Sequence, residues 1–295
     1  MFEFFKKLFS PIIAVLDFIT KYFKTIVFLT IIYVLFFNNA DETSSTNRSF
    51  ANLQKIELSG EILDVSKVME NIEKAKNDTN IKGVLLVVDS PGGAVAPSVE
   101  IAYAIKELKE LKPVVVYASG VIASGSYYAS IWSDKIIANP GSMVGSIGVI
   151  MQGFEVSELM EKIGISTQTI KAGKYKESGT PTRKWFDYEE EQLKSVINAT
   201  YNMFITDVAN ARNLDIKNHT QFADARVFTS FQAKEVGLID EVATISYAQS
   251  VLIELAKVEK PVWKKEDKFE KFMDKLMSQA ISKVLMSFSS SLKAY

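Results

Sequence analysis

Asp89-Ser-Pro-Gly-Gly93 follows directly on the apolar run IKGVLLVV, residues 81–88. Pro91 is predicted to stop the strand, and the two glycines open positive φ to the backbone. A helix is predicted soon after. Backbone N–H groups at such a turn can face outward and act as an oxyanion hole or an anion nest, or the turn can simply join strand to helix. The absence of a following Gly-Lys-Ser/Thr argues against a phosphate-binding loop. A second segment runs from Ala118 to Tyr128, ASGVIASGSYY, after the apolar PVVVY. Small residues flank Ser124, and a serine in the first turn of a helix can expose its Oγ beside the positive helix end. That is the logic of a nucleophile elbow without its usual G-x-S-x-G. Ser119, Ser124 and Ser126 are also all good helix N-caps, and local sequence does not choose between cap and nucleophile. The third segment, Lys171 to Pro181, holds Lys171, Lys174 and Lys176. Such lysines are ordinarily solvated. One of them could serve as a base only when neutral, which needs burial and hydrogen bonds that bring its pKa from about 10.4 towards about 7–8. A serine, a neutral lysine and an oxyanion hole suffice for acyl transfer.

Composition narrows the alternatives. The 295 residues include no cysteine and one histidine, His219. There is therefore no disulfide framework, thiol nucleophile, Fe–S cluster or Cys/His zinc site, and no metal or cofactor is expected. A Ser-His-Asp triad would have to use His219, which falls in the polar connector Asp215 to Thr220 and reads as a surface-loop residue. With histidine this scarce, lysine is the obvious candidate base. Lys+Arg total 34 against 35 Asp+Glu, a formal net charge of -1 that offers no electrostatic footprint for nucleic acid.

Elements of alternating type must position these segments. Gln54 to Ile62 is predicted as a strand, Val65 to Lys76 as a helix, and Ile81 to Val88 as a strand buried on both faces. A helix from Ser98 to Leu111 and a strand from Val114 to Tyr117 follow. After the serine-rich turn come a helix through Ile131, strands at Lys135 to Ala138 and Val144 to Met151, and a long helix from Tyr188 to Ala211. Strand–helix alternation predicts an α/β fold with mostly parallel pairing. The first two segments fall where a strand ends, which is where such folds carry their sites.

The ends of the chain differ. Mean hydropathy is +0.08, and the apolar excess sits at the start. Thr25 to Phe37 is uncharged and would span ~20 Å, or ~28 Å with its flanks, as a helix. Lysines precede it, and Asp41 and Glu42 follow. The positive-inside rule predicts a cytoplasmic N-terminus and an extracytoplasmic bulk. A cleaved signal peptide competes, but the long segment before the apolar run and the poor cleavage site at Asn38 to Ala40 favour a retained anchor. The predicted organisation is a cytoplasmic or interfacial segment at 1–24, a transmembrane anchor at 25–40, a polar tether at 41–52, a catalytic domain at 53–258 and a tail at 259–295. In the tail, Phe269, Met273, Leu276, Ala280, Val284 and Phe288 recur at helical spacing, which predicts an amphipathic helix.

Five stretches, in order, resemble the signal peptide peptidase A family of serine proteases in its short, single-copy form: 85–95, 118–130, 138–152, 170–183 and 225–242. The resemblance implies a ClpP/crotonase-like fold of spiralling βαβ units. It implies Ser124 as nucleophile, Lys176 as general base, and Gly93 and Gly125 as oxyanion-hole donors. It implies Ser146 as the hydroxyl that orients the lysine. It also implies a ring-shaped homo-oligomer, an octamer for the short form, in which Lys and Ser of one site can come from adjacent protomers. The implied substrates are signal peptides left in the membrane. Two departures stand out: Ser126 replaces the glycine of the family's SGGYY, and Asp224-Ala225-Arg226 stands for a DGR. Two rival readings remain, a crotonase-type hydratase or isomerase of acyl-CoA that would need carboxylates in its site, and an inactive membrane scaffold of the same fold.

Overall fold

The computed structural model describes residues 20–32 and 51–265. Residues 20–32 form helix α1, whose side chains are almost all exposed. Among the described residues no helix is long and apolar enough to cross a membrane. The rest of the predicted anchor, 33–40, most of the tether and the amphipathic tail lie outside the described residues.

Residues 50–264 form one compact unit. It opens with β1 (Leu53–Ile62), α2 (Ser66–Asn77), β2 (Gly83–Gly93), α3 (Val95–Lys109), β3 (Val114–Ala123) and α4 (Gly125–Ser130). β4 (Lys135–Ala138), β5 (Met143–Gly145), α5 (Ser157–Lys162) and α6 (Asp187–Arg212) follow. A 3-10 turn at Ile216–Gln221 leads into β6 (Val227–Thr229), α7 (Ser230–Glu235), β7 (Glu241–Val242) and α8 (Ile245–Leu255). The α/β alternation is as expected, and the strands pair in the order β1-β2-β3-β4-β7, all parallel. β5 pairs in parallel with the far end of β3, and β6 pairs antiparallel with β5.

The apolar runs are buried on both sides, as their sequence demanded. Val84, Leu86 and Val88 of β2 and Val114, Val116 and Ala118 of β3 face the larger core, beneath α2, α3, α4 and α6. The alternate residues Leu85, Val115 and Tyr117 face a smaller one closed by Ala248 and Leu252 of α8.

Two strands differ from expectation. β2 does not stop before Pro91; it continues to Gly93. Pairing steps from Ser59↔Asp89 to Glu61↔Gly92 on one side and from Val88↔Ala118 to Ser90↔Ile122 on the other. Pro91 falls in the skip beside β1 and just past the last pair with β3, so its missing N–H breaks no rung. The strand expected from Val144 to Met151 ends instead at Gly145, because Gly145 and Ser146 take φ of 110° and 50° and turn the chain out of the ladder.

The two ends of the unit meet. Trp263 bridges to Leu53 in parallel, Asn52 N–H donates to the Val262 carbonyl at 2.8 Å, and Lys264 N–H donates to the Leu53 carbonyl at 2.8 Å.

Candidate active site

Ser124 joins β3 to α4 with φ 51° and ψ −122°. A non-glycine residue in such a region stores ~1–3 kcal/mol of strain and stays there only when its surroundings over-determine it. Here they do. Its N–H donates to the Gly145 carbonyl at 2.8 Å, and its own carbonyl accepts from Tyr128 N–H at 3.0 Å.

The structure separates the three serines that local sequence could not. Ser119 Oγ donates to the Val88 carbonyl at 3.2 Å. Ser126 Oγ, fully buried, lies 2.6 Å from the Ser90 carbonyl and 2.9 Å from that of Ala123, and accepts from Ala123 N–H. The departure at Ser126 therefore ties the DSPGG segment to the serine turn rather than distorting it. Ser124 makes no side-chain cap bond to α4, and it lines an open cleft.

Gly93, Gly125 and Ser146 line the same cleft. Two glycines let the turns approach this closely. A Cβ on Gly92, at φ 95°, would lie 2.6 Å from Gly125 N and 2.9 Å from Ser124 Cβ. A Cβ on Gly125 would lie 2.2 Å from Ser98 Oγ and 3.3 Å from Gly93 N. Gly125 opens α4, so its N–H has no acceptor within the helix. Ser146 has φ 50°, with its N–H donating to the Arg226 carbonyl at 2.8 Å.

A residue that the sequence marks only as a departure from the family pattern completes the arrangement. Ala225, the middle of Asp224-Ala-Arg226, has φ 66° and lines the cleft. Its N–H donates to the Ile147 carbonyl at 3.0 Å. Three of the five described non-glycine residues with positive φ, Ser124, Ser146 and Ala225, thus surround one cleft. Such clustering of strain is characteristic of functional sites. The signal available beforehand was the replacement of a glycine by alanine at 225.

The walls are mostly apolar. Val95, Ser98 and Val99 come from α3, and Thr200, Met203 and Phe204 from α6. Tyr128 lies at the base, edge-on to Phe204 at 4.9 Å, and its hydroxyl donates to Asp207. Burial, and then the bond to that carboxylate, push the phenol far above its ordinary pKa, so it remains a neutral donor. Among the described residues, no carboxylate lines the cleft.

Lys176 is not brought to this cleft among the described residues. It is exposed, in a turn where its N–H donates to the Gly173 carbonyl at 3.3 Å. Lys171 pairs with Glu177 at 3.0 Å, and Lys174 Nζ sits 4.5 Å from the centre of the Tyr188 ring. The turn therefore packs beside the start of α6, whereas Thr200 and Met203 reach the cleft much further along. From Glu189 to Met203 the helix rises about 21 Å. One chain assembles Ser124, Gly93, Gly125 and Ser146 and leaves the lysine apart. His219, expected in a surface loop, is half-buried in the 3-10 turn, its Nδ1 3.1 Å from the Ile216 carbonyl oxygen, and does not line the cleft.

Residues 106–259 match the profile of Peptidase family S49. A protein of Methanocaldococcus jannaschii named as a protease is 45% identical over 194 residues, 66% of this chain and 61% of that protein. The chain thus spans about three fifths of that relative's length. A protein of Enterococcus faecium named as the signal peptide peptidase SppA is 33% identical over 234 residues, covering 75% of this chain and 67% of that one. Among solved structures, a point mutant of ClpP1 from Listeria monocytogenes is similar over 66% of this chain and 93% of that chain, at 16% identity and a TM-score of 0.47.

Proposed function

The chain belongs to Peptidase family S49, and on that premise we propose that it is a membrane-tethered serine endopeptidase with a Ser124–Lys176 dyad, acting on signal peptides left in the membrane. The observation that carries the reading is the strained, uncapped Ser124 sharing one cleft with Gly93, Gly125 and Ser146. A cleft lined by no described carboxylate speaks against a crotonase-type acid–base reaction.

In the proposed reaction, neutral Lys176 takes the proton of Ser124 Oγ as the oxygen attacks the scissile carbonyl. The N–H groups of Gly93 and Gly125 hold the tetrahedral oxyanion, each worth roughly 3–4 kcal/mol of the barrier. Collapse expels the amine, which receives the proton from Lys176. A water, deprotonated by Lys176, then releases the acyl group from Ser124. Ser146 orients the amine and favours its neutral form.

Because Lys176 stands apart from the cleft of its own chain, the dyad is completed between copies in a ring, the octamer implied by the resemblance. Supporting this, Ile150, Met151, Phe154, Leu159, Ile163, Ile165 and Ile170 leave a large apolar surface exposed in the single chain. The ring is held to the membrane by the anchor at 25–40, N-terminus cytoplasmic and catalytic unit outside.

The test is cleavage of a signal-peptide-derived substrate by the purified chain. Ser124→Ala and Lys176→Ala should each abolish cleavage with the oligomer intact. Mixed rings of the two inactive variants should regain activity at about a quarter of the sites if the dyad spans copies. Cleavage by Lys176→Ala alone would sink the assignment, and inactive mixed rings would place the dyad within one chain.

A further inference from the structure

The lysine turn lacks the support that fixes the serine. From Gly148 to Tyr188 no residue is buried. The first buried residue after that stretch is a carboxylate, Glu189, whose side chain is wholly inaccessible. A buried carboxylate must be paired and hydrogen-bonded to be tolerated, and this one is. Arg183 Nη1 donates to one oxygen at 2.8 Å and Nη2 to the other at 2.9 Å, while Phe186 N–H donates at 2.9 Å. The same Nη2 also donates to Glu177 Oε2 at 3.1 Å, and the guanidinium lies 4.2 Å from the Phe186 ring centre. Glu177 is peptide-bonded to Lys176, and Lys171 donates to the same Oε2 at 3.0 Å.

The fork of Arg183 therefore joins two points. One is Glu189, fixed in the first turn of α6, the helix whose later turns line the cleft. The other is the residue next to the proposed base. We propose that Arg183 is a positioning residue for Lys176, tying its turn to α6 through Glu177 and Glu189; this rests on the reading of Lys176 as the base. Ordering a turn that has no buried apolar anchor costs about 1–2 kcal/mol per residue. A base must also be held near its attack geometry to be effective. Two parallel N–H···O bonds fix a plane as well as a distance, which a lysine at 183 cannot reproduce.

The experiment is steady-state peptide cleavage by the full chain with Arg183→Ala, Arg183→Lys and Glu177→Ala, run beside Lys176→Ala. Arg183→Ala should lower kcat by about 10–100-fold with KM within about twofold. Tens of millimolar guanidinium should restore part of that loss, and Arg183→Lys should resemble Arg183→Ala. Glu177→Ala leaves the Arg183–Glu189 fork in place and cuts only its link to the lysine turn. It should still lose kcat several-fold at constant KM, which decides the matter should Arg183→Ala not fold. Full kcat in Glu177→Ala, or in a folded Arg183→Ala, overturns the proposal. An active Lys176→Ala overturns instead the base assignment on which it rests.

Discussion

Between Leu53 and Ile147 the central strands β2 and β3 are packed on both faces for most of their length; from Gly148 to Tyr188 no residue is buried. The first region carries Ser124 and its neighbours, the second Lys176. In the first, backbone strain at Ser124 is held by apolar packing and main-chain hydrogen bonds. In the second, shape depends on Arg183–Glu189, Lys171–Glu177 and a cluster of rings, including Tyr175 and Tyr188 at 5.5 Å and Phe186 and Tyr188 at 5.7 Å. In the proposed site one partner is therefore rigid and the other is held by charge, to be finished by contact with another copy.

The contrast is tested most severely by placing the same change in both regions. Gly92→Ala should cost about 3 kcal/mol of stability and reduce cleavage at least ~100-fold, because its Cβ meets the serine turn at positive φ. Gly164→Ala, at φ 73° with nothing within 4 Å, should cost only about 1 kcal/mol and leave cleavage within a few-fold. Urea melts and peptide cleavage on both variants give the answer, and a Gly92→Ala as mild as Gly164→Ala would break the contrast.

Acid should separate the regions next. The Arg183 guanidinium holds the Glu189 carboxyl down at about 2, and Lys171, then Arg183, hold Glu177 below its ordinary range. Both carboxyls have folded pKa values below their unfolded ones. Their contribution is therefore complete above about pH 4.3 and is lost as pH falls, for Glu189 towards about 2. Brief pepsin digestion across that window should cut within 150–186 before the sheet gives way. Simultaneous loss of both regions would show that the arm is not independently held.

The smallest effect belongs to Ala225. At φ 66° an alanine carries left-handed strain that glycine avoids. Ala225→Gly should raise stability by roughly 0.5–1 kcal/mol, after the extra freedom glycine gains in the unfolded chain. Cleavage should change by less than about twofold. A lowered urea midpoint would mean that the methyl group contributes more by packing than it costs in strain.

The sequence was most informative where burial dictates pattern. IKGVLLVV and PVVVY announced strands covered on both faces, and the long periodic stretch from Tyr188 to Ala211 marked α6 to within one residue at each end. It was least informative where one residue type serves two purposes. A serine before a helix suits a cap and an elbow equally, and only the partners of Ser119 and Ser126 show which hydroxyl is left over. β2 runs past Pro91 because a register skip beside β1, invisible in one strand alone, lets the pairing pass it. That Lys176 stays out of the cleft's lining was illegible for another reason: spacing along the chain does not say which side chains of an exposed turn reach a cleft. The Arg183–Glu189 fork had only an acid in the first turn of a helix to announce it.

The meeting of residues 52–54 with 262–264 bears on how such a unit can be handled by a larger chain. Its two ends leave from the same edge of the sheet, so a short connection spans them with little loss of chain entropy. A unit so closed can be permuted, copied in tandem or inserted within another protein without opening its core. Pull applied to either end reaches the same few hydrogen bonds at Asn52 and Lys264, and that load falls on a clasp lying beyond the strands that shape the cleft.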